Sequence, residues 1–208
     1  MYMEFLKAKN EYIAASRRAF ACGLAAGSVG NLSIRIPSTQ LMIVKPSGIT
    51  LGEVDETNLV IADLFGNLVE GKAKPTKETL LHGGLYRNRP QIGAVVHVHP
   101  VYSIMCANCF EEMPLVTKQM KQITSRPVPI LKIKHNTVDE AGMRQVEALL
   151  KDRPEACCFL LEEHGLVSFA ATMQDAQNNA ELIEENARVF WEMAKAVRTS
   201  GSGQGESW

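Results

Sequence analysis

The sequence predicts an α/β protein, a three-layer sandwich whose central mixed, largely antiparallel sheet is flanked by helices. Two short extended runs, 31–36 and 41–44, are separated by a turn-forming segment, which is typical of an antiparallel hairpin. A second pair of runs, 59–64 and 68–69, repeats this pattern, whereas the later strands alternate with helical segments. With 208 residues, of which 46% are hydrophobic, the chain has the size and composition of one folded domain, which we place at residues 1–198.

The elements of the first half are predicted from the spacing of apolar residues and from the positions of glycine and proline. Apolar residues at helical intervals predict a helix over 4–25, which ends near Gly23 and Gly27. The two hairpins come next. Proline is tolerated in the first turn of a helix, so Pro75 is expected to open a helix that continues to about Arg87.

The second half alternates between strands and helices. Apolar runs predict strands at 92–98, 128–133, 156–161 and 166–169. Apolar stripes at helical spacing predict helices at 100–109, 139–150 and 173–197. Residues 199–208 are rich in glycine and serine, so we expect them to form a flexible tail.

Charge and cysteine content narrow the classes of partner. The 22 basic and 23 acidic residues give a net charge of -1, with no excess to hold a nucleic acid or an anionic membrane. The apolar runs are far shorter than the roughly 20 residues of a membrane span, and the charged N-terminus is unlike a secretory signal. Five cysteines, including the neighbours Cys157 and Cys158, fit free thiols in a reducing compartment. We therefore expect a cytoplasmic protein that binds a small molecule and neither nucleic acid nor membrane.

Two histidines alternate at the end of a predicted strand. Strand geometry sends His97 and His99 to the same face, with their backbone positions about 7 Å apart. Such a pair also fits a strand whose polar face merely carries histidines. His164 follows another apolar strand and is a candidate third ligand. Three neutral imidazoles leave an open coordination position on Zn²⁺, the expected cofactor, with another divalent metal as the alternative.

A glutamate and two further histidines have local explanations. Glu78 is predicted to lie in the first turn of a helix, where the helix dipole favours its anionic form. It is a candidate fourth metal ligand or proton-transfer base, although a carboxylate at a helix start commonly has no such role. His82, four residues further on, is expected to orient the Glu78 carboxylate. His135 lies in a charged stretch and is expected on the surface.

Glycine-bearing turns at 27–31 and 46–48 could offer backbone N–H groups and hydroxyls to a phosphate, as could Thr76. Neither turn matches a known nucleotide-binding fingerprint, and most turns of this composition have no ligand. Between 117 and 138 the chain carries basic residues and no acidic one. We interpret this segment either as a solvated face or as a rim that attracts an anionic substrate.

The combination of the histidines, Glu78 and the glycine-bearing turns resembles the class II aldolase/adducin family of metal-dependent sugar-phosphate lyases and epimerases. They occur in the order and spacing of that family, including the 19-residue step from Glu78 to His97. The similarity is carried by residues 27–33, 46–48, 75–78, 97–100 and 164–166.

The resemblance implies a site and a reaction. It implies that Glu78 is the general acid or base and that zinc is bound by His97, His99 and His164. It implies that phosphate is held by Gly30, Asn31, Ser47, Gly48 and Thr76. The implied reaction is retro-aldol cleavage of a phosphorylated ketose through a metal-stabilised enediolate, as in L-fuculose-phosphate aldolase. The implied assembly is a homotetramer with active sites at subunit interfaces.

Two residues depart from the aldolase pattern. Lys77 replaces a small hydroxyl residue, and a lysine there is similar to the 3-oxo-tetronate 4-phosphate decarboxylases, so Lys77 is expected to contact the substrate. Helix residues 178–185 resemble the same subgroup. Lys118 falls approximately where the aldolases have a catalytic tyrosine. The alternatives to the aldolase are therefore that decarboxylase, a sugar-phosphate 4-epimerase and a non-catalytic adducin-like module.

Overall fold

One mixed sheet runs through the middle of the protein, with helices on both of its faces, so the predicted fold class is confirmed. The computed structural model describes residues 2–200, with side chains through 197. The helices are α1 Tyr2–Ala21, α2 Thr79–Asn88, α3 Val101–Cys109, α4 Lys118–Ile123, α5 Glu140–Asp152 and α6 Met173–Ser200. The strands are β1 Asn31–Arg35, β2 Leu41–Val44, β3 Val60–Asp63, β4 Leu68–Glu70, β5 Ala94–Val98, β6 Glu112–Met113, β7 Val128–Leu131, β8 Cys158–Leu161 and β9 Gly165–Ala170.

The strand order brings distant parts of the chain to one end of the sheet. The order is β4-β3-β2-β1-β5-β9-β8-β7-β6, and only β7 and β8 pair in parallel among the described strands. Asn31 at the start of β1 pairs with His97, and Val98 at the end of β5 pairs with Leu166. Because these neighbours are antiparallel, the start of β1, the end of β5 and the start of β9 lie side by side.

Two apolar cores cover the two faces of the sheet. One core contains buried side chains of α1, α3 and α6, and the other contains those of α2 and α5. On β5, Val96 and Val98 belong to the first core and Val95 to the second. Side-chain alternation therefore directs His97 to the α2 and α5 face, where it is fully buried.

The prediction that a helix begins at Pro75 is wrong. The helix α2 begins at Thr79, and Pro75 instead forms a β-bridge with Pro46. The Thr76 N–H donates to the Lys45 carbonyl at 2.9 Å, which ties this segment to the loop after β2. The Thr76 N–H, which a helix beginning at Pro75 would leave free, is therefore used in this pairing.

Three short elements were not predicted. They are β6, α4 and the 3-10 turn Leu51–Glu53. Local caps support two of them: Thr117 accepts the Met120 N–H at the start of α4, and Thr50 and Glu53 form a capping box.

The predicted boundary between domain and tail lies at the end of α6. That helix reaches Ser200, so residues 199 and 200 of the predicted tail are helical and 201–208 lie outside the described residues. Among the described helices, none combines the length and the apolar character that crossing a membrane requires.

Candidate metal centre and active site

Three imidazoles meet at the end of the sheet where β1, β5 and β9 come together. His97 lies on β5, His99 one residue beyond that strand, and His164 directly before β9. The ring centroids are 4.8, 4.7 and 4.8 Å apart, a nearly equilateral triangle. One nitrogen from each ring lies within 4.8 Å of the others. The structure therefore brings together the three predicted metal ligands.

Hydrogen bonding determines which ring nitrogen of His97 has a lone pair available for a metal ion. Its Nδ1 lies 3.1 Å from the Leu166 carbonyl oxygen, which can only accept, so Nδ1 carries the hydrogen. Its Nε2 keeps a lone pair and lies 3.3 Å from Nε2 of His164. Two nitrogens bound to a tetrahedral zinc at roughly 2.0–2.1 Å are about 3.3 Å apart, so this spacing fits a zinc ion.

Burial keeps the imidazoles in the form that binds metal. Desolvation, reinforced by the neighbouring histidines, lowers the pKa of His97 well below its usual value. Desolvation and the proximity of His164 and Lys45 lower the pKa of His99 to about 4. Desolvation also lowers the pKa of His164. Neutral imidazole is the ligand form, so no proton has to leave these rings when a cation binds at neutral pH.

Gly165 lets β9 lie against the end of β5, and replacing it tests this close approach. A Cβ atom at Gly165 would lie 2.3 Å from the carbonyl oxygen of Val98, which cannot yield unless the strand moves. We expect Gly165→Ala to lower the free energy of unfolding by about 2–4 kcal/mol. We also expect weaker zinc binding, because Gly165 follows His164. Chemical denaturation and zinc competition measure the two effects.

Gly23→Ala is the control for this substitution. A Cβ at Gly23 would meet no atom within 4 Å, and only its backbone φ of +73° opposes alanine. We expect a cost of about 1 kcal/mol and unchanged zinc affinity. Equal effects of the two variants on zinc affinity would contradict the role assigned to the contact between Gly165 and Val98.

Glu78 is buried at the start of α2, where desolvation opposes ionisation of its carboxyl group. It is the N-cap residue, its side chain makes no capping hydrogen bond, and it is 4% exposed. The Val138 N–H donates to its Oε2 at 3.2 Å. Burial raises the pKa of Glu78 to about 7, against the lowering effect of that hydrogen bond. The predicted preference of a helix start for an anionic carboxylate is therefore opposed here by desolvation.

His82 orients Asn31 and not Glu78, contrary to the prediction. Asn31 Oδ1 can only accept, which fixes the direction of a chain of hydrogen bonds that begins at the Tyr86 hydroxyl, so Tyr86 donates to Ser33 Oγ at 2.7 Å. The Ser33 hydroxyl then donates to His82 Nδ1 at 2.6 Å. His82 Nε2 consequently carries a hydrogen and donates to Asn31 Oδ1 at 2.6 Å. This chain leaves the NH₂ group of Asn31 free to donate elsewhere.

All ten predicted site residues line one cavity of about 340 Å³, together with Ser28, Val29, Lys45 and Asn136. Gly30 has a φ of +76°, and a Cβ there would lie 3.2 Å from the His97 carbonyl oxygen, so glycine is required. The Ser47 hydroxyl donates to the Pro75 carbonyl at 2.8 Å. A larger groove of about 770 Å³ lies at the opposite end of β1, beside Arg35, and is lined by none of the ten.

Lys45 was not predicted from the sequence, yet it lines the cavity and is 2% exposed. Its Nζ donates to the carbonyl oxygens of Ser28 at 2.6 Å and Ile49 at 2.8 Å, which joins the two glycine loops. Burial lowers its pKa to about 8, so the ammonium remains mostly protonated at neutral pH. The available signal was a lysine placed between an apolar strand and a Pro-Ser-Gly turn.

The basic segment does not rim the cavity in this chain. Among described residues 117–138, Asn136 lines the cavity, whereas the basic side chains do not. Lys118 begins α4 and is exposed, and Lys132 pairs with Glu111 at 2.9 Å. His135 is exposed as expected, 3.5 Å from Asp139.

The fold and the site define a class of α/β proteins in which histidines from antiparallel strands and a buried carboxylate share one polar cavity. The chain matches the family described as Class II Aldolase and Adducin N-terminal domain over residues 10–191, and it belongs to that family. The resemblance inferred from the motifs is thereby confirmed.

Similar proteins have three different activities in their names. A methylthioribulose-1-phosphate dehydratase of Pseudomonas savastanoi pv. phaseolicola is 31% identical over 182 residues, covering 84% of this chain and 89% of the relative. A 3-oxo-tetronate 4-phosphate decarboxylase of Escherichia coli O6:H1 is 32% identical over 182 residues, covering 83% and 80%. A solved L-fuculose 1-phosphate aldolase superimposes with a TM-score of 0.78 at 27% identity, covering 97% and 90%. All three activities are those of lyases, and dehydration was not among the predicted ones.

Proposed function

We propose that this chain is a zinc-dependent lyase that cleaves a phosphorylated ketose by a retro-aldol reaction, in which the bond between the α and β carbons of the carbonyl group breaks. The observation that carries the proposal is a single cavity lined by the three histidines, Glu78 and the loops joined by Lys45. The dehydratase and the decarboxylase are both named for substrates with a carbonyl group and a phosphate ester. The cavity has one set of groups suited to binding the phosphate and another suited to the reaction at the carbonyl.

The phosphate is held at the end of the cavity formed by the glycine loops. Gly30 and Gly48 allow backbone N–H groups to approach an anion, and Thr76 and Ser47 add polar side chains. The NH₂ group of Asn31 is kept available as a donor by the buried hydrogen bonds of His82. Lys45 supplies the positive charge, which strengthens hydrogen bonds to a phosphate in a partly desolvated cavity.

His97, His99 and His164 would hold the metal, with zinc preferred and another divalent ion as the alternative. Bound zinc supplies a Lewis acid that stabilises negative charge developing on a substrate oxygen. Glu78 takes a proton from the substrate or returns one, since a pKa of about 7 lets it do either at neutral pH. The Val138 N–H holds the carboxylate in one orientation during that transfer.

Lys77 favours a second candidate reaction, decarboxylation of a phosphorylated keto acid. Its side chain is exposed, lines the cavity between Thr76 and Glu78, and makes no ion pair or hydrogen bond among the described residues. An ammonium in this position can pair with a substrate carboxylate, which a 3-oxo-tetronate has and a simple ketose lacks. Loss of the carboxylate as carbon dioxide and retro-aldol cleavage both develop negative charge on the carbon α to the carbonyl group.

Metal analysis followed by a substrate panel tests the proposal. We expect close to one zinc per chain after zinc addition, and release of dihydroxyacetone phosphate from ketose 1-phosphates. Carbon dioxide from a 3-oxo-tetronate 4-phosphate would assign the decarboxylase, loss of water the dehydratase, and an isomer of unchanged mass the epimerase. Failure to bind any divalent metal would instead favour the adducin-like module. Light scattering tests the proposed homotetramer on the same sample.

A further inference from the structure

The turn that carries His164 has an unfavourable backbone conformation one residue before the imidazole. The Leu161 carbonyl accepts the His164 N–H at 3.1 Å, which closes a four-residue turn between β8 and β9. Glu163, the third residue of this turn, has a φ of +57°. This position of a type II turn favours glycine, because a side chain in the left-handed region is crowded. Something outside the turn must therefore help to hold it.

Asn108 supplies that support. Its side-chain Oδ1 accepts the Glu163 N–H at 2.7 Å, across 55 positions of sequence. Asn108 lies near the end of α3, and the same helix begins two residues after His99. Glu184 of α6 accepts the N–H groups of Tyr102 and Ser103 at 2.9 and 2.8 Å, which anchors the start of α3. The helix α3 thus connects the backbone beside His99 to the turn that carries His164.

We propose that Asn108 is a positioning residue for the candidate metal centre. Its carboxamide oxygen holds the Glu163 turn in the conformation that directs His164 toward His97 and His99. The inference rests on the proposed function only in requiring that these histidines bind a metal. Strained backbone persists where its surroundings impose it, and here the imposed shape decides where the third ligand lies.

The side chain of Asn108 is well suited to substitution because it is exposed. Two backbone hydrogen bonds of the turn, from Glu162 to Leu131 and from His164 to Leu161, remain when it is changed. We therefore expect the fold to survive, and the position of His164 to be the property that changes. Zinc affinity reports that position directly, without requiring a substrate.

The experiment compares Asn108→Ala with Asn108→Asp in the full-length, metal-free chain, using competition with a chromophoric zinc chelator. Alanine removes the acceptor, and we expect the zinc dissociation constant to rise by about tenfold or more, as when other partners of metal ligands are lost. Aspartate keeps an acceptor oxygen of the same reach, so we expect near-wild-type affinity. Adding Glu163→Gly to Asn108→Ala should restore part of the affinity, because glycine adopts a positive φ without crowding.

Two results would overturn the inference while the proposed function stands. They are a wild-type affinity in Asn108→Ala, and an equal loss in the alanine and aspartate variants. Absence of zinc binding by the wild-type chain would overturn the proposed metal centre, and the inference with it. That failure is distinguishable because it appears before any substitution is made.

Discussion

Replacing His97 with asparagine is expected to abolish stoichiometric zinc binding and to reduce turnover to the background rate. His97 is fully buried, its Nδ1 is engaged by the Leu166 carbonyl, and its Nε2 is directed toward His164. Asparagine cannot place a nitrogen lone pair at the position of Nε2. Two remaining imidazoles bind zinc more weakly, by at least about a hundredfold. Elemental analysis and chelator competition measure the loss.

His135→Asn is the matched control, since it makes the same substitution at an exposed histidine outside the three candidate ligands. We expect it to keep one zinc per chain. A buried site such as His97 carries a risk of misfolding, so His164→Asn, at a half-buried position, is the second test of the ligand set. Retention of one tightly bound zinc by both His97→Asn and His164→Asn would show that the metal is held elsewhere.

Local patterns account for the parts of the site that were predicted. Strand alternation places His97 and His99 on one side, and the hairpin signals around β1 and β2 give the correct pairing of those strands. The convergence of His164 depends instead on antiparallel pairing of β5 with β9, which aligns Val98 with Leu166. That pairing is not readable from either segment alone: its place after an apolar strand made His164 a candidate third ligand, and the resemblance then implied the complete ligand set.

The errors concern residues whose partners lie across the fold. Pro75 has the local features of a helix start, but its segment pairs with the loop at Pro46. Glu78 and His82 have the spacing of neighbours on one helix face, yet His82 bonds across the sheet to Asn31. Lys45 has only its place between an apolar strand and a Pro-Ser-Gly turn as a local signal, and its significance follows from two loop carbonyls that accept hydrogen bonds from it. In each case tertiary hydrogen bonds outweigh a local preference.

Replacing Glu78 with glutamine is expected to lower kcat by at least about a hundredfold while the fold and the bound metal are retained. Glutamine has nearly the same shape, and its carbonyl can still accept the Val138 N–H. The glutamine amide cannot take up or release a proton near neutral pH. The measurement is kcat on whichever substrate the panel identifies, alongside zinc content. Glu56→Gln, at an exposed position, controls for the loss of one carboxylate. A kcat within a few-fold of wild type would remove Glu78 from the proton transfer.

The same variant tests whether burial controls the charge of Glu78. Folding raises its pKa from 4.5 to about 7, so its contribution to stability is fully present below pH 4.5 and is lost as the pH rises through 7. Glutamine remains neutral at every pH. The metal-free variant should therefore gain stability relative to wild type between pH 4.5 and 8.5, by at most about 3 kcal/mol. Urea unfolding at the two pH values measures this gain. A difference that does not change with pH would mean that Glu78 has an ordinary pKa in the folded protein, and that its carboxylate is already charged when the substrate arrives.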